Sequence, residues 1–177
     1  MTVLTTERLI LRPAAATDFE ALCRLWSDPV FIADVGFGPY TPEIVWLRLL
    51  RDVGHWQVFG YGNWALTLKT TGQYVGTAGM FDYCRDIEPA FGAPETGWGL
   101  DPAFYGRGLA LEAMTAVLRH ADRGLGIPRT VCIISPGNVR SLKLAEKLGY
   151  AVYHDGLFRD EPIRFLERLN KDAHDHA

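Results

Sequence analysis

A surplus of basic residues is the first thing missing from this chain. Eighteen lysines and arginines stand against 21 aspartates and glutamates, giving a formal net charge of -3. A nucleic-acid-binding surface neutralises phosphates with excess cations, so this balance argues against DNA or RNA as an obligate partner. Long apolar runs are missing too. No stretch approaches the ~20 residues that a membrane helix needs, and the N-terminus shows no charged-then-apolar signal pattern. The expectation is a cytoplasmic protein with no membrane partner. Cysteine is scarce, and Cys23, Cys84 and Cys132 are odd in number and far apart. That spacing suits neither a disulfide framework nor a zinc site, so they read as buried thiols and no metal site is expected. His174 and His176 lie in a polar tail and read as part of a frayed terminus. Two phosphate-binding patterns are absent as well. No Gly-x-x-x-x-Gly-Lys-Ser/Thr run occurs, and the dinucleotide fingerprint fails because Leu111 stands where its third glycine belongs.

Present instead is a chain with 48% hydrophobic and 22% charged residues, the composition of a folded globular protein. Its 177 residues suffice for one domain with a substantial core, assigned to residues 1–170 with a polar tail at 171–177. The stretch from Glu95 to Arg123 organises the rest. A short strand, Glu95–Leu100, leads to the turn Tyr105-Gly106-Arg107-Gly108-Leu109-Ala110. A helix follows, with Ala110, Ala113, Met114, Val117, Leu118 and Ala121 on one face and Gly124 as its C′ residue. Glycines at a helix start let the backbone come close to a ligand, and the first N–H groups there have no intrahelical partner. Together with the helix dipole, this makes a site for a phosphate or pyrophosphate.

Elsewhere, Thr6–Pro13 reads as a strand that Pro13 ends. A helix follows from Asp18 to about Ser27, broken by Asp28-Pro29. Val30–Tyr40, with Gly36, Gly38 and Pro39, reads as a connection. Thr41 and Pro42 mark the start of a helix running to about Gly54, with Ile44, Leu47, Leu50 and Trp46 on its apolar side. Residues 63–69 and 73–83 form a hairpin around Thr71-Gly72, and Arg85–Pro94 is a surface loop. Arg129–Ser135 is a buried strand, Val139–Leu148 a helix, and Ala151–Phe158 and Pro162–Leu169 a terminal pair of strands.

Gly108 and Ala110 match the (Gln/Arg)-x-x-Gly-x-(Gly/Ala) segment of the GNAT (GCN5-related) N-acetyltransferases, with Tyr105 in place of the Gln or Arg. Thr6-Glu7-Arg8-Leu9, Tyr74-Val75-Gly76-Thr77-Ala78-Gly79, Glu95-Thr96-Gly97-Trp98-Gly99-Leu100, Asn138-Val139-Arg140-Ser141 and Glu146-Lys147-Leu148-Gly149-Tyr150 follow in the order of the branch that includes ribosomal-protein N-terminal acetyltransferases. The chain resembles that family over almost its whole length. The resemblance implies an α/β (α+β) GNAT fold. This is a mixed, twisted sheet of about seven strands flanked by about four helices, splayed between the fourth and fifth strands, Glu95–Leu100 and Arg129–Ser135.

It also implies direct transfer of an acetyl group from acetyl-CoA, as cosubstrate, to a primary amine. The acceptor is a protein N-terminus or a small-molecule amine. A non-catalytic acyl-CoA-binding or sensing module is the alternative. By resemblance, the backbone of Gly106, Arg107, Gly108, Leu109 and Ala110 holds the pyrophosphate. Unpaired backbone around Trp98 to Leu100 holds the pantetheine, and Asn138 and Ser141 also contact CoA. Glu95, which matches the family's strand glutamate, is by resemblance the candidate base for an alkyl amine that is protonated at neutral pH; it equally reads as an ordinary strand residue. Ser141 is the candidate hydrogen-bond donor to the leaving sulfur, because Ala145 stands where relatives place a tyrosine; it also reads as a helix-surface serine. Tyr150 reads as core. Glycines 97 and 99 suit a bulged, closely approached strand. Among the aromatics, Phe31 and Tyr83 are the candidate acceptor-binding residues. A homodimer through edge strands is compatible with the chain.

Overall fold

Leu9 and Leu11 are fully buried while Ile10 and Arg12 are partly exposed, the alternation of a strand with one face on a core. This is β2 (Leu9–Pro13), in a computed structural model that describes residues 2–170. The tail assigned to 171–177, with His174 and His176, lies outside the described residues. Around β2 the chain builds one eight-stranded sheet in the order β1-β2-β3-β4-β5-β6-β8-β7. Its other strands are β1 (Leu4–Thr5), β3 (Asn63–Leu68), β4 (Tyr74–Phe81), β5 (Glu95–Leu100), β6 (Arg129–Ile134), β7 (Ala151–Phe158) and β8 (Glu161–Leu169). The strand beyond the expected seven is β1, a two-residue cover on the edge of β2.

Five α-helices are described rather than about four: α1 (Phe19–Leu25), α2 (Pro29–Val35), α3 (Pro42–Phe59), α4 (Leu109–Arg119) and α5 (Val139–Lys147). The extra one, α2, lies in the segment read as a connection. Asp28 caps it, its Oδ1 accepting from the N–H groups of Val30 and Phe31 at 2.8 and 3.0 Å, and Pro29 takes the first helical position. Asp28-Pro29 therefore ends one helix and starts the next. Helix α3 runs a turn past Gly54 and packs through Val45, Leu49 and Trp56, whereas Ile44, Leu47 and Leu50 face outward. Helix α4 does not stop at Gly124 as a C′ residue but passes into a π turn, His120–Gly124. Of the cysteines only Cys132 is buried; Cys84 is exposed. No helix among the described residues is long and apolar enough to cross a membrane.

The feature that positions the site is a split in the sheet. Strand β5 pairs with β4 over six registers, and β6 pairs with β8 over six more. Between them, β5 and β6 run parallel and share a single register, Glu95↔Val131. Val131 N–H donates to Pro94 C=O at 3.1 Å, and the Thr96 hydroxyl to Val131 C=O at 3.1 Å. Beyond these bonds the strands diverge. Pairing of β4 with β5 is regular throughout, so glycines 97 and 99 mark no bulge. They mark close approach: a Cβ on Gly97 would meet Phe81 at 3.0 Å, and one on Gly99 would meet Phe31 at 2.9 Å.

A buried phenol pins the point of divergence. The Tyr150 hydroxyl lies 2.7 Å from Thr96 Oγ1 on β5 and 2.8 Å from Thr130 Oγ1 on β6. Tyr150 is core, as expected, but its oxygen ties both strands. Tyr150→Phe keeps the ring and removes both bonds, so a loss of about 1–2 kcal/mol is expected. Thermal denaturation should show this as a Tm lowered by roughly 2–8 °C. An unchanged Tm would show that the strands hold without the pin.

Candidate active site

Where the split faces α4, the chain turns through Gly106 and Gly108, both left-handed with φ of 73° and 74°. No atom lies within 4 Å of where a Cβ on Gly106 would stand, so a ligand can come against the backbone. Gly108 caps α4, whose first bond runs from Glu112 N–H to Gly108 C=O at 3.1 Å. The N–H groups of Gly106, Arg107, Gly108, Leu109, Ala110 and Leu111 donate to no acceptor among the described residues. Unpaired amides at the positive end of a helix dipole are chemically suited to an anion. Leu109 turns its side chain into the core, so only its backbone serves the turn.

Arg8 braces this turn from the N-terminal strand. Its Nη1 donates to Arg107 C=O at 2.8 Å and its Nε to Glu112 Oε2 at 2.6 Å. Glu112 Oε1 also accepts from Thr6 Oγ1 and Arg8 N–H. Burial pushes the Glu112 carboxyl up, but these bonds outweigh it and hold the group below its ordinary range. The Arg107 side chain lies 5.3 Å over the Phe104 ring.

Asn138 caps α5, its Oδ1 accepting from Ser141 N–H at 3.0 Å. Its amide nitrogen donates to Asp34 C=O on α2 at 2.7 Å. Asp34 also pairs with Arg140 at 3.2 Å and bonds the Tyr105 hydroxyl. Tyr105, the departure from the family pattern, thus ties α2 to the glycine turn. Ser141 Oγ accepts from Trp98 Nε1 at 3.2 Å. Ala145, one turn on, is sealed in the core, so no side chain there reaches the split. The Leu100 side chain is likewise core, leaving only its backbone on the free edge.

Over the split lies a cavity of ≈ 380 Å³, within the size range of small-ligand sites. Ser141, Asn138, Trp98, Glu95, Phe31 and Tyr83 all line it. Tyr40 and Phe81 line it too, whereas Trp46 and Trp64 do not. Glu95 is 5% exposed. Arg85 meets it with two bonds, Nε to Oε2 at 2.5 Å and Nη2 to Oε1 at 3.0 Å. Burial raises the Glu95 pKa, and the bonds and charge of Arg85 only partly offset that. Phe81 and Tyr83 stack at 4.2 Å, and the Tyr83 hydroxyl donates to Asp52 Oδ1 at 2.6 Å. Burial, then Asp52, raises the Tyr83 pKa, so it stays a neutral phenol.

A family model for the acetyltransferase (GNAT) domain matches residues 8–151. The chain belongs to the GNAT acetyltransferase family. It is similar to the uncharacterized N-acetyltransferase p20 of Bacillus licheniformis, 29% identical over 161 residues that cover 90% of this chain and 87% of that one. A GnaT-family acetyltransferase structure from Bordetella pertussis aligns with a TM-score of 0.83 and 36% identity, over 95% of this chain and 99% of the other. RimL, a ribosomal L7/L12 alpha-N-protein acetyltransferase in complex with coenzyme A, shares the fold at a TM-score of 0.77 and 18% identity, over 95% and 98% of the chains.

Within this GNAT acetyltransferase, Glu95, Trp98, Asn138, Ser141, Phe31 and Tyr83 line one cavity, whereas Leu100 and the turn 106–110 are not among its lining residues. The partners that condition them did not show in the sequence. Arg85 sits in a loop where a charged residue is unremarkable, and Asp34 lies in the segment 30–40 read as a connection. Arg48 and Arg51 point inward from a helix whose buried face was assigned to its other side. The one available signal was Asp28-Pro29, the same cap-and-proline pattern that correctly marked Thr41-Pro42.

Proposed function

We propose that this acetyltransferase moves the acetyl group of acetyl-CoA directly onto a primary amine, a protein N-terminus or a small molecule, held at Glu95. One observation carries the reading: the sheet opens beyond Glu95↔Val131 into a cavity holding a buried carboxylate, beside a helix start with unused amides. The donor set fits acetyl-CoA. Amides of residues 106–111 suit a diphosphate, and the free edge at Trp98–Leu100 suits the amides of an extended pantetheine arm, as an added strand would.

Bound there, acetyl-CoA supplies an activated thioester carbonyl. The chain's own part is to orient and to move protons. Both Glu95 oxygens accept from Arg85, yet each keeps a further lone pair for the incoming nitrogen. A nitrogen–carbon bond forms as a carbon–sulfur bond breaks. Of the two protons the ammonium gives up, one goes to Glu95 and on to solvent, and the other ends on the sulfur. A second cavity of ≈ 370 Å³, between the loop 82–94 and Glu95, offers that proton a way out. Ser141, oriented by Trp98, donates a hydrogen bond toward the sulfur.

The Arg85 contact is also what favours the second reading, a non-catalytic acyl-CoA sensor in which Glu95 is wholly engaged. Calorimetry with acetyl-CoA and thiol-reagent detection of CoA release across a panel of amines separate the two. Turnover on any primary amine supports the transferase, and binding without turnover supports the sensor. No binding sinks both. In the same titration Arg107→Ala should change the Kd for acetyl-CoA by no more than about fivefold, because the backbone carries the grip and an exposed side-chain charge adds little. A loss of binding would put the guanidinium on the ligand.

A further inference from the structure

The charged side chains that line the cavity do not balance. Four arginines line it, Arg48, Arg51, Arg85 and Arg159, against two glutamates, Glu95 and Glu161. Arg85 is matched by Glu95. Arg51 lies 3.6 Å over the Tyr83 ring and bonds Asp52 Oδ1 at 3.2 Å. Asp52 is already engaged: Oδ1 also accepts from Tyr83, Oδ2 accepts from Asn63 Nδ2 at 3.2 Å, and its charge reaches Arg48 only through space. Arg48, one turn before Asp52 on α3, is left over. Its guanidinium lies 4.3 Å from the Trp26 ring centroid and 5.0 Å from that of Tyr40, and it makes no hydrogen bond or ion pair with any described residue. Burial first, and then the neighbouring charge of Arg51, work against its charged form. An arginine cannot relieve that by losing its proton at ordinary pH.

A partly buried guanidinium with five free donors and no directly bonded counter-ion is costly unless something anionic joins it. Here the rings of Trp26 and Tyr40 fix the plane of the fork and partly compensate the charge. Its geometry matches one carboxylate, bound through two parallel N–H···O contacts. Arg159 also lines the cavity without an anionic partner, but it is exposed and solvated, so the half-buried Arg48 is the open fork there, and it balances a single negative charge. A polyamine would instead bring further positive charge against Arg48, Arg51 and Arg85.

We propose that the acceptor is a small amine that also carries a carboxylate, an amino acid held by its carboxylate on Arg48 with its nitrogen toward Glu95; this rests on the reading of Glu95 as the base. Arg48 is a specificity-determining residue, remote from the bond that changes.

The test is acetyl-CoA turnover with matched acceptors: L-amino acids, their carboxamides, the corresponding decarboxylated amines, and spermidine. Free amino acids should exceed their carboxamides in kcat/KM by about 10- to 100-fold, the worth of a charge-assisted pair. Arg48→Gln should erase that preference by raising the acceptor KM, with the KM for acetyl-CoA unchanged. Arg48→Lys should restore part of it. Removing an uncompensated charge should also leave the Arg48→Gln Tm equal to or above the wild-type value, which separates loss of selectivity from loss of fold. Equal rates on amino acids and carboxamides, faster rates on spermidine, or an Arg48→Gln variant that slows all acceptors alike would overturn the proposal. If acetyl-CoA binds but no amine turns over, the transferase reading fails. Calorimetry of amino acids against their carboxamides then decides this one: selective binding lost in Arg48→Gln supports it, and equal or no binding overturns it.

Discussion

Glu95→Gln is expected to lower kcat by about 10²- to 10⁴-fold, the usual contribution of a positioned general base, while the KM for acetyl-CoA stays near wild type. Glutamine keeps the shape and can still meet Arg85, so the fold has no reason to change. The pH profile makes the test specific. Burial raises the Glu95 pKa above its ordinary range, and activity needs the ionised form. Wild-type kcat/KM should therefore fall on an acidic limb lying above the usual carboxylate range of about 4.3, and the glutamine variant should lose that limb. Arg85→Gln should push the limb higher still, because the hydrogen bond and charge of Arg85 both lower the Glu95 pKa. Stability carries the same sign. A carboxyl whose pKa is higher folded than unfolded stabilises below its unfolded pKa, and that contribution is lost as pH rises through the folded pKa. The Tm of wild type relative to Glu95→Gln should decline over that window. An unaltered kcat in Glu95→Gln would remove Glu95 from the mechanism.

Gly76→Ala should have the largest effect on stability. Gly76 lies in β4 opposite Leu100 of β5, with φ of 148°, which side chains rarely tolerate. A Cβ there would stand 2.2 Å from Gly99 C=O and 2.7 Å from Leu100 Cα. Both obstacles are backbone, so neither can rotate away. Strain and overpacking together are expected to cost roughly 3–5 kcal/mol, lowering Tm by about 10 °C or more. Because the displaced segment is the free edge of the split, the Kd for acetyl-CoA should rise in whatever protein still folds. Gly54→Ala in α3 is the control. Nothing lies within 4 Å of its Cβ, and alanine suits a helix better, so it should be neutral or stabilising. A Gly76→Ala protein as stable as wild type would mean that β4 and β5 are not held as close as their pairing implies.

The helix in 29–35 and the buried face of α3 were the parts of the fold least legible in sequence. Glycines and a proline between Val35 and Tyr40 obscured α2, although its cap and first-turn proline were in plain view. In α3, Ile44, Leu47 and Leu50 make as good a helical stripe as Val45, Leu49 and Trp56, and periodicity gives no sign of which one meets the sheet. The choice has chemical consequences. Turning Val45 and Leu49 inward brings Arg48 and Arg51 to the cavity, and turning Ile44 inward would have sent them elsewhere.

The positions of most strands along the chain, the glycine turn and its helix, and the carboxylate at the head of β5 were determined by sequence alone. Each rests on contacts between near neighbours: alternation along a strand, a left-handed turn, amides that a helix start leaves open. Tertiary structure alone decided which charges are answered. Arg85 reaches Glu95 only because a loop folds back on its own strand, Asp52 is taken up by residues 11 and 31 positions away, and Arg48 is left without a partner. Ionic pairing depends on where distant segments come to rest, and no local pattern in the chain records that.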